Sequence, residues 1–166
     1  MKILTIAILI AILIIYWART RNPGFAKLGI EGRLIWIDRG RKTGTLYNRT
    51  YGVSGKPDFI FRQRSGLLGV EYKSRRGPVY ESDIVQAKVA ALAARGEGYA
   101  IASILIKTAS MEKWIDLPPS DSNLYKDIES FVELVRRGKM GAPLKAKPTV
   151  GKCRSCGYRL PCTERM

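Results

Sequence analysis

The chain predicts an α/β (α+β) fold behind an N-terminal transmembrane helix, and three observations carry that expectation. Segments rich in β-branched and aromatic residues, separated by Gly, Pro and polar turns, recur from Arg33 onward. One stretch, Ser82 to Leu92, instead repeats its apolar residues at helical spacing. The opening run from Ile3 to Trp17 carries no charge at all.

That run reads ILTIAILIAILIIYW, with only Thr5 and Tyr16 bearing hydroxyls, so lipid is its natural solvent. As a helix it rises only about 22 Å, but Met1 and Ala18 extend it, and Lys2 and Arg19 can snorkel to the interfaces. A cleaved secretory signal is the competing reading, yet YWARTRNP offers no small-x-small cleavage site. An uncleaved anchor over residues 1–18 is therefore expected. Arg19, Arg21, Lys27 and Arg33 follow it, and this imbalance leaves the main domain cytoplasmic, as a single-pass membrane protein. Asn22-Pro23-Gly24 marks a linker over residues 19–29.

The 166 residues suit one domain of ordinary size plus short appendages, here residues 30–147 followed by a tail over 148–166. Arg33 to Asp38 (RLIWID) reads as the first strand, and Gly40 to Gly44 as a basic turn. Gly52 to Phe61 and Leu67 to Ser74 read as two strands joined by the polar turn Arg62–Gly66. The helix that follows has Ser82 as its cap, Gly96 as its end, and Val85, Val89 and Leu92 as a core-facing stripe. Gln86 lies beside that stripe, next to Ala90 and Ala93, whose small side chains allow close packing on a sheet. Tyr99 to Lys107 and Lys113 to Leu117 read as further strands, and Asp121 to Arg137 as one amphipathic helix.

Charge and composition narrow the chemistry. Lysine and arginine number 29 against 14 acidic residues, and a net charge of +15 attracts polyanions such as nucleic acid or anionic lipid. The bias peaks after Arg136, where Glu164 is the single acid. There is no histidine, which removes imidazole bases, imidazole metal ligands and Ser-His-Asp or Cys-His catalysis. Hydrolysis by this chain must rest on carboxylates, lysine and a metal.

Three ionisable residues supply that set. Period-two alternation puts Glu71 and Lys73 on one face of their strand. A hairpin centred between Arg64 and Ser65 then sets Asp58 across from Glu71, with Cβ atoms about 5 Å apart. Taken singly, Asp58 is an ordinary turn opener, and Glu71 with Lys73 an ordinary edge pair. Together they suit a hard divalent cation, Mg²⁺ or Mn²⁺, held by Asp58 and Glu71, which polarises a phosphoryl oxygen and activates water. Lys73 would orient the water or neutralise charge developing on the phosphate.

GKPDFIF (Gly55 to Phe61) and EYK (Glu71 to Lys73) together resemble the G-x-P-D and E-x-K signature of PD-(D/E)XK nucleases. Ser82 to Leu92 is similar to the helix that carries the glutamine of the RecB-like branch. The resemblance covers roughly residues 30 to 162 and implies a restriction-endonuclease-like core, a central mixed sheet flanked by helices. It also implies a metal-dependent DNA nuclease with Asp58, Glu71, Lys73 and Gln86 as catalytic residues, acting as an exonuclease on single-stranded DNA or ends. Gln86 would hold the active end of the sheet and the substrate. The histidine that the family places ahead of the first strand is missing, and Glu31 is the nearby acid in a position to substitute.

Cys153, Cys156 and Cys162 form C-x2-C-x5-C in a reducing compartment, where ligands or inert thiols are expected rather than disulfides. The pattern resembles the C-terminal cluster of CRISPR-associated RecB-like exonucleases, in which three such cysteines and one near the N-terminus hold a 4Fe-4S iron–sulfur cluster. This chain has no fourth cysteine. A three-cysteine cluster with an outside ligand, a zinc site completed by carboxylate or water, and a relic without metal all stay open. A second function also stays open: a catalytically weak or inactive nucleic-acid-binding protein that anchors DNA or an assembly at the membrane.

Overall fold

The computed structural model describes Ile10, residues 29–154 and residues 156–166. The expected anchor over 1–18 and its linker therefore lie almost wholly outside the described residues. Among the described residues, no helix is long and apolar enough to cross a membrane.

Among the described residues, seven strands and four α-helices follow in chain order. They are β1 (Arg33–Ile37), β2 (Leu46–Asn48), β3 (Val53–Gly55), β4 (Phe59–Gln63), β5 (Gly66–Lys73), α1 (Glu81–Gly96), β6 (Ile101–Thr108), β7 (Glu112–Asp116), α2 (Asp121–Lys126), α3 (Glu129–Lys139) and α4 (Val150–Arg154). Five strands form one mixed sheet in the order β1-β4-β5-β6-β7, flanked by helices. β2 and β3 make a separate two-stranded ribbon. Among the described strands only β5 and β6 run parallel, and α1 supplies the crossover that a parallel pair requires. The other neighbours in the main sheet are antiparallel.

The hairpin β4–β5 has the expected register, with Phe59 opposite Val70 and Gln63 opposite Gly66, so only Arg64 and Ser65 lie in the turn. The strands thus reach further into the turn than the polarity of Arg62 and Gln63 suggests. The expected strand Gly52–Phe61 is interrupted at Lys56, Pro57 and Asp58, where the chain passes from the ribbon into the main sheet. Pro57 lacks a ladder donor, which suits this corner.

Helix α1 covers one face of the sheet. Its residues Ala87, Ala91, Leu92, Ala93 and Ala94 are buried with Ile60, Ile104 and Ile106 in the main core, and Ala90 is buried too. Leu92 is wholly buried, whereas Val85 and Val89 are half-buried at the flank, so the alanines rather than the valines set the approach. Two glycines record how close that approach is. A Cβ on Gly55 would lie 3.0 Å from the Cα of Ala90, and one on Gly96 would lie 2.5 Å from the Cα of Asn48. Asn48 in turn donates from Nδ2 to the Leu92 carbonyl at 3.0 Å. On the opposite face, Phe61, Leu68, Val70 and Leu105 form a second buried cluster with Ile30, Leu34 and Phe59.

Two local expectations are corrected. The N-cap of α1 is Tyr80, not Ser82, because Asp83 at the third helical position accepts the Tyr80 amide at 2.8 Å. The helix expected over Asp121–Arg137 is broken into α2 and α3. Ile128 leaves helical geometry (φ −120°, ψ −4°) while wholly buried, and Asp127 pairs with Lys88 of α1 at 2.7 Å. Tertiary anchorage there overrides continuous helix propensity.

Replacing Gly96 with alanine should force α1 off the ribbon. The expected loss is about 1–3 kcal/mol of unfolding free energy in urea titration, the usual cost of overpacking. A Gly96→Ala protein as stable as the parent would show that helix and ribbon do not touch there.

Candidate active site

The site forms where the C-terminal end of β5 meets α1. Alternation along β5 turns Glu71 toward the helix, where it is only 4% exposed, and brings Lys73 to the same side two residues on. Gln86, one turn into α1, reaches down to both. Lys73 Nζ donates to Glu71 Oε1 at 2.8 Å and to Gln86 Oε1 at 2.9 Å, while Gln86 Nε2 donates to Glu71 Oε1 at 2.8 Å. The three side chains close a hydrogen-bonded triangle. All of its bonds to the carboxylate fall on one oxygen, and the buried Oε2 of Glu71 has no hydrogen-bond partner among the described residues.

Asp58 stands at the corner that enters β4. Its amide donates to the Val70 carbonyl at 3.0 Å, its carbonyl accepts from Asp38 N–H at 2.9 Å, and its Oδ2 accepts from Tyr72 N–H at 2.6 Å. The corner is thus fixed from both neighbouring strands. Asp58, Glu71, Lys73 and Gln86 are brought together as the sequence suggests.

Burial is the main cause that pushes both acids above the ordinary carboxylate range. For Glu71 the Lys73 bond pulls the other way, and the charges of Asp58 and Asp83 add to the rise. For Asp58 the Tyr72 amide and Lys73 oppose burial, and Asp38 adds to it. Two acids that resist ionisation beside each other, one with an orphaned buried oxygen, fit an added cation. The donors are hard oxygens, as Mg²⁺ or Mn²⁺ prefers. Among the described residues no three Cys, Asp or Glu side chains gather as a metal-binding group; an ion here could be held by Asp58 and Glu71, with solvent or substrate oxygens completing the shell.

Glu31 does not substitute for the missing histidine. The pairing of Arg33 with Arg62 puts the start of β1 at the turn end of the hairpin, where the Glu31 carbonyl accepts from Gln63 Nε2 at 2.8 Å. The acid that β1 brings to the site is Asp38, at its other end, where it forms a 2.9 Å ion pair with Lys56. Sequence reasoning passed over both residues, since Asp38 reads as the close of a strand and Lys56 as the free position of G-x-P-D. Arg75 and Asp83 form a further ion pair at the entrance to α1, with the Arg75 guanidinium 4.6 Å from the centre of the Tyr80 ring.

Among the described residues the cysteines gather into no metal-binding group. Cys153 in α4 is buried and its Sγ accepts from the Met166 amide at 3.4 Å, Cys156 is exposed, and Cys162 is half-buried. Three thiols without a fourth soft ligand do not fit a four-thiolate cluster.

Fold and site together define a mixed α/β domain with a carboxylate, lysine and amide cluster at the C-terminal end of the central strand of its sheet. Neither the family models nor the curated proteins contain a match to the chain. Among solved structures it is similar to the crystal structure of SSO0001, at 16% identity and a TM-score of 0.40, over 96% of this chain and 71% of that one.

The raised acids predict a pH and metal dependence of stability. The folded carboxyls bind protons more tightly than the unfolded ones, so their contribution to stability is lost as pH rises from the ordinary carboxylate range through the raised values. Asp58→Asn removes one share of that loss and keeps an oxygen for the Tyr72 amide. Its melting midpoint at neutral pH in EDTA should equal or exceed the parent's, and Mn²⁺ should raise the parent's midpoint but not the variant's. A lower midpoint in EDTA, or an equal Mn²⁺ shift in both proteins, would contradict the site.

Proposed function

We propose that this chain is a metal-dependent deoxyribonuclease of the PD-(D/E)XK type, RecB-like in its glutamine-bearing helix. The observation that carries the reading is the buried, unpartnered Oε2 of Glu71 beside a lysine ammonium and a second acid. Asp58 and Glu71 would hold Mg²⁺ or Mn²⁺, which when bound supplies Lewis-acid polarisation of the scissile phosphoryl group and activation of water.

The chain's own groups do the rest. Lys73, held between Glu71 and Gln86, keeps an ammonium donor beside the carboxylates, where it orients the attacking water or meets charge developing on phosphate. Gln86 fixes that geometry by bonding both partners at once. Water's oxygen adds to phosphorus, the ester oxygen leaves with a proton, and no histidine is needed. Single-stranded DNA or DNA ends, cut in exonuclease fashion, are the proposed substrate. Residues 1–18 are the proposed single-pass anchor, with the domain on the cytoplasmic side.

A second reading, a non-cleaving protein that anchors DNA or an assembly at the membrane, is favoured by the basic C-terminal tail and the absence of histidine. Cleavage of labelled DNA by the full chain in detergent separates the two. Activity should require Mg²⁺ or Mn²⁺ and fall at least about 100-fold in both Asp58→Ala and Lys73→Ala. Activity that survives both substitutions would sink the nuclease assignment, and salt-sensitive binding without turnover in either metal would select the second reading.

A further inference from the structure

Immediately beside the Asp58 corner lies a basic turn whose construction is unlike that of a solvated charge run. Arg39, Arg41 and Lys42 are all exposed, and they flank or form the single 3-10 turn Gly40–Lys42 that follows β1. The turn is built inward upon one ammonium group. Lys56 Nζ donates to the Gly40 carbonyl at 3.0 Å, to the Thr43 carbonyl at 3.4 Å and to Asp38 Oδ1 at 2.9 Å. Asp38 Oδ1 also takes the Gly40 amide at 2.9 Å, and Thr43 Oγ1 takes the Arg39 amide at 2.7 Å. Gly40 accepts the left-handed conformation (φ 66°) that this closure demands.

With carbonyls and the one carboxylate turned in toward Lys56, the cationic side chains are left facing solvent. Lys56 is two residues from Asp58, and Asp38 donates its amide to the Asp58 carbonyl, so the turn is tied directly to the acid corner. We propose that the turn Arg39–Lys42 is a phosphate clamp for the nucleic-acid strand entering the Asp58–Glu71 site, held in position by the Lys56 ammonium. The identity of the strand rests on the nuclease reading. The turn itself speaks for a polyphosphate backbone rather than a lipid surface, because no large apolar side chain lies between Asp38 and Gly44 to enter a membrane.

The far end of the same hairpin provides a matched control. Arg62 and Arg64 are equally exposed, but they lie at the opposite end of β4 from Asp58. Binding of a labelled single-stranded oligonucleotide to the full chain in detergent, with EDTA present, is measured across a salt series. The double variant Arg39→Ser/Arg41→Ser should bind more weakly and lower the log–log salt slope by about 1.4, at roughly 0.7 per phosphate contact. Arg62→Ser/Arg64→Ser, with the same charge removed, should leave the slope where it was. Lys56→Met keeps every arginine but frees the turn, so its slope should fall by more than the roughly 0.7 of a single lost contact.

Equal losses in the two arginine pairs would reduce the clamp to general basicity and overturn the proposal. A Lys56→Met slope lowered by only one contact or less would overturn the positioning role. Loss of binding to anionic phospholipid vesicles, with oligonucleotide binding intact, would assign the turn to lipid instead. Failure of the nuclease reading shows separately, as absence of cleavage by the parent protein in Mg²⁺ or Mn²⁺.

Discussion

Glu71 is a carboxylate on the face of β5 that α1 covers, and the arrangement around it constrains most of the molecule's working end. A charge that is taken out of water must be paired and hydrogen-bonded, or it will neutralise. Burial requires that β5 be an interior strand, which the order β4-β5-β6 provides. Pairing requires a cation on the same face, and the two-residue step to Lys73 delivers one. Hydrogen bonding from above requires a helix close enough for Gln86 to reach the sheet. The run of alanines in α1 allows that approach, and the bare Cα of Gly55 lets the ribbon pack under Ala90. Packing and polar chemistry therefore point to the same helix position.

Asp58 obeys a different logic. It is held by backbone rather than by a cluster of side chains, with hydrogen bonds to Val70, Tyr72 and Asp38 around a buried proline. Such a corner places a carboxylate with little conformational freedom, which suits a metal ligand that must not collapse onto the nearest lysine. Asp38 and Lys56 extend that order outward. Their ion pair is only about one-fifth exposed on either side, so solvent screens it less than a surface pair, and it joins the end of β1 to the start of β4.

The parts of this site that were legible in the sequence are those set by short-range periodicity. Asp58, Glu71 and Lys73 follow from a two-residue turn and strand alternation, whereas Gln86 was expected there only through the resemblance of its helix to the RecB-like one; all four lie together. Asp38 was not legible, because β1 skips the ribbon to pair with β4, and nothing local to RLIWID or GKPDF announces that neighbour. The same holds for Glu31, whose closeness in sequence to the first strand hid the fact that an antiparallel partner carries it to the wrong end. Ser82 failed as a cap for a smaller reason: Asp83, one residue on, could reach back to Tyr80 and also pair with Arg75. Asp127, at the break between α2 and α3, pairs with Lys88, a residue in another helix that the local sequence does not announce.

The Oε2 of Glu71, buried and without a hydrogen-bond partner among the described residues, sets structure against function. Leaving a buried polar atom unsatisfied costs about 1–3 kcal/mol, a large share of a small domain's stability. Protonating Glu71 would relieve the charge, yet the proton on Oε2 would then be a donor with no acceptor among the described residues. Glutamine at that position would only exchange one unmatched group for another. A divalent cation is different, since it takes the free lone pairs directly, offsets the charge that burial penalises, and does the same for Asp58. Residues kept at a cost to folding are those whose benefit lies elsewhere. Under the proposed function that benefit would be a cation held beside an ammonium and a basic turn.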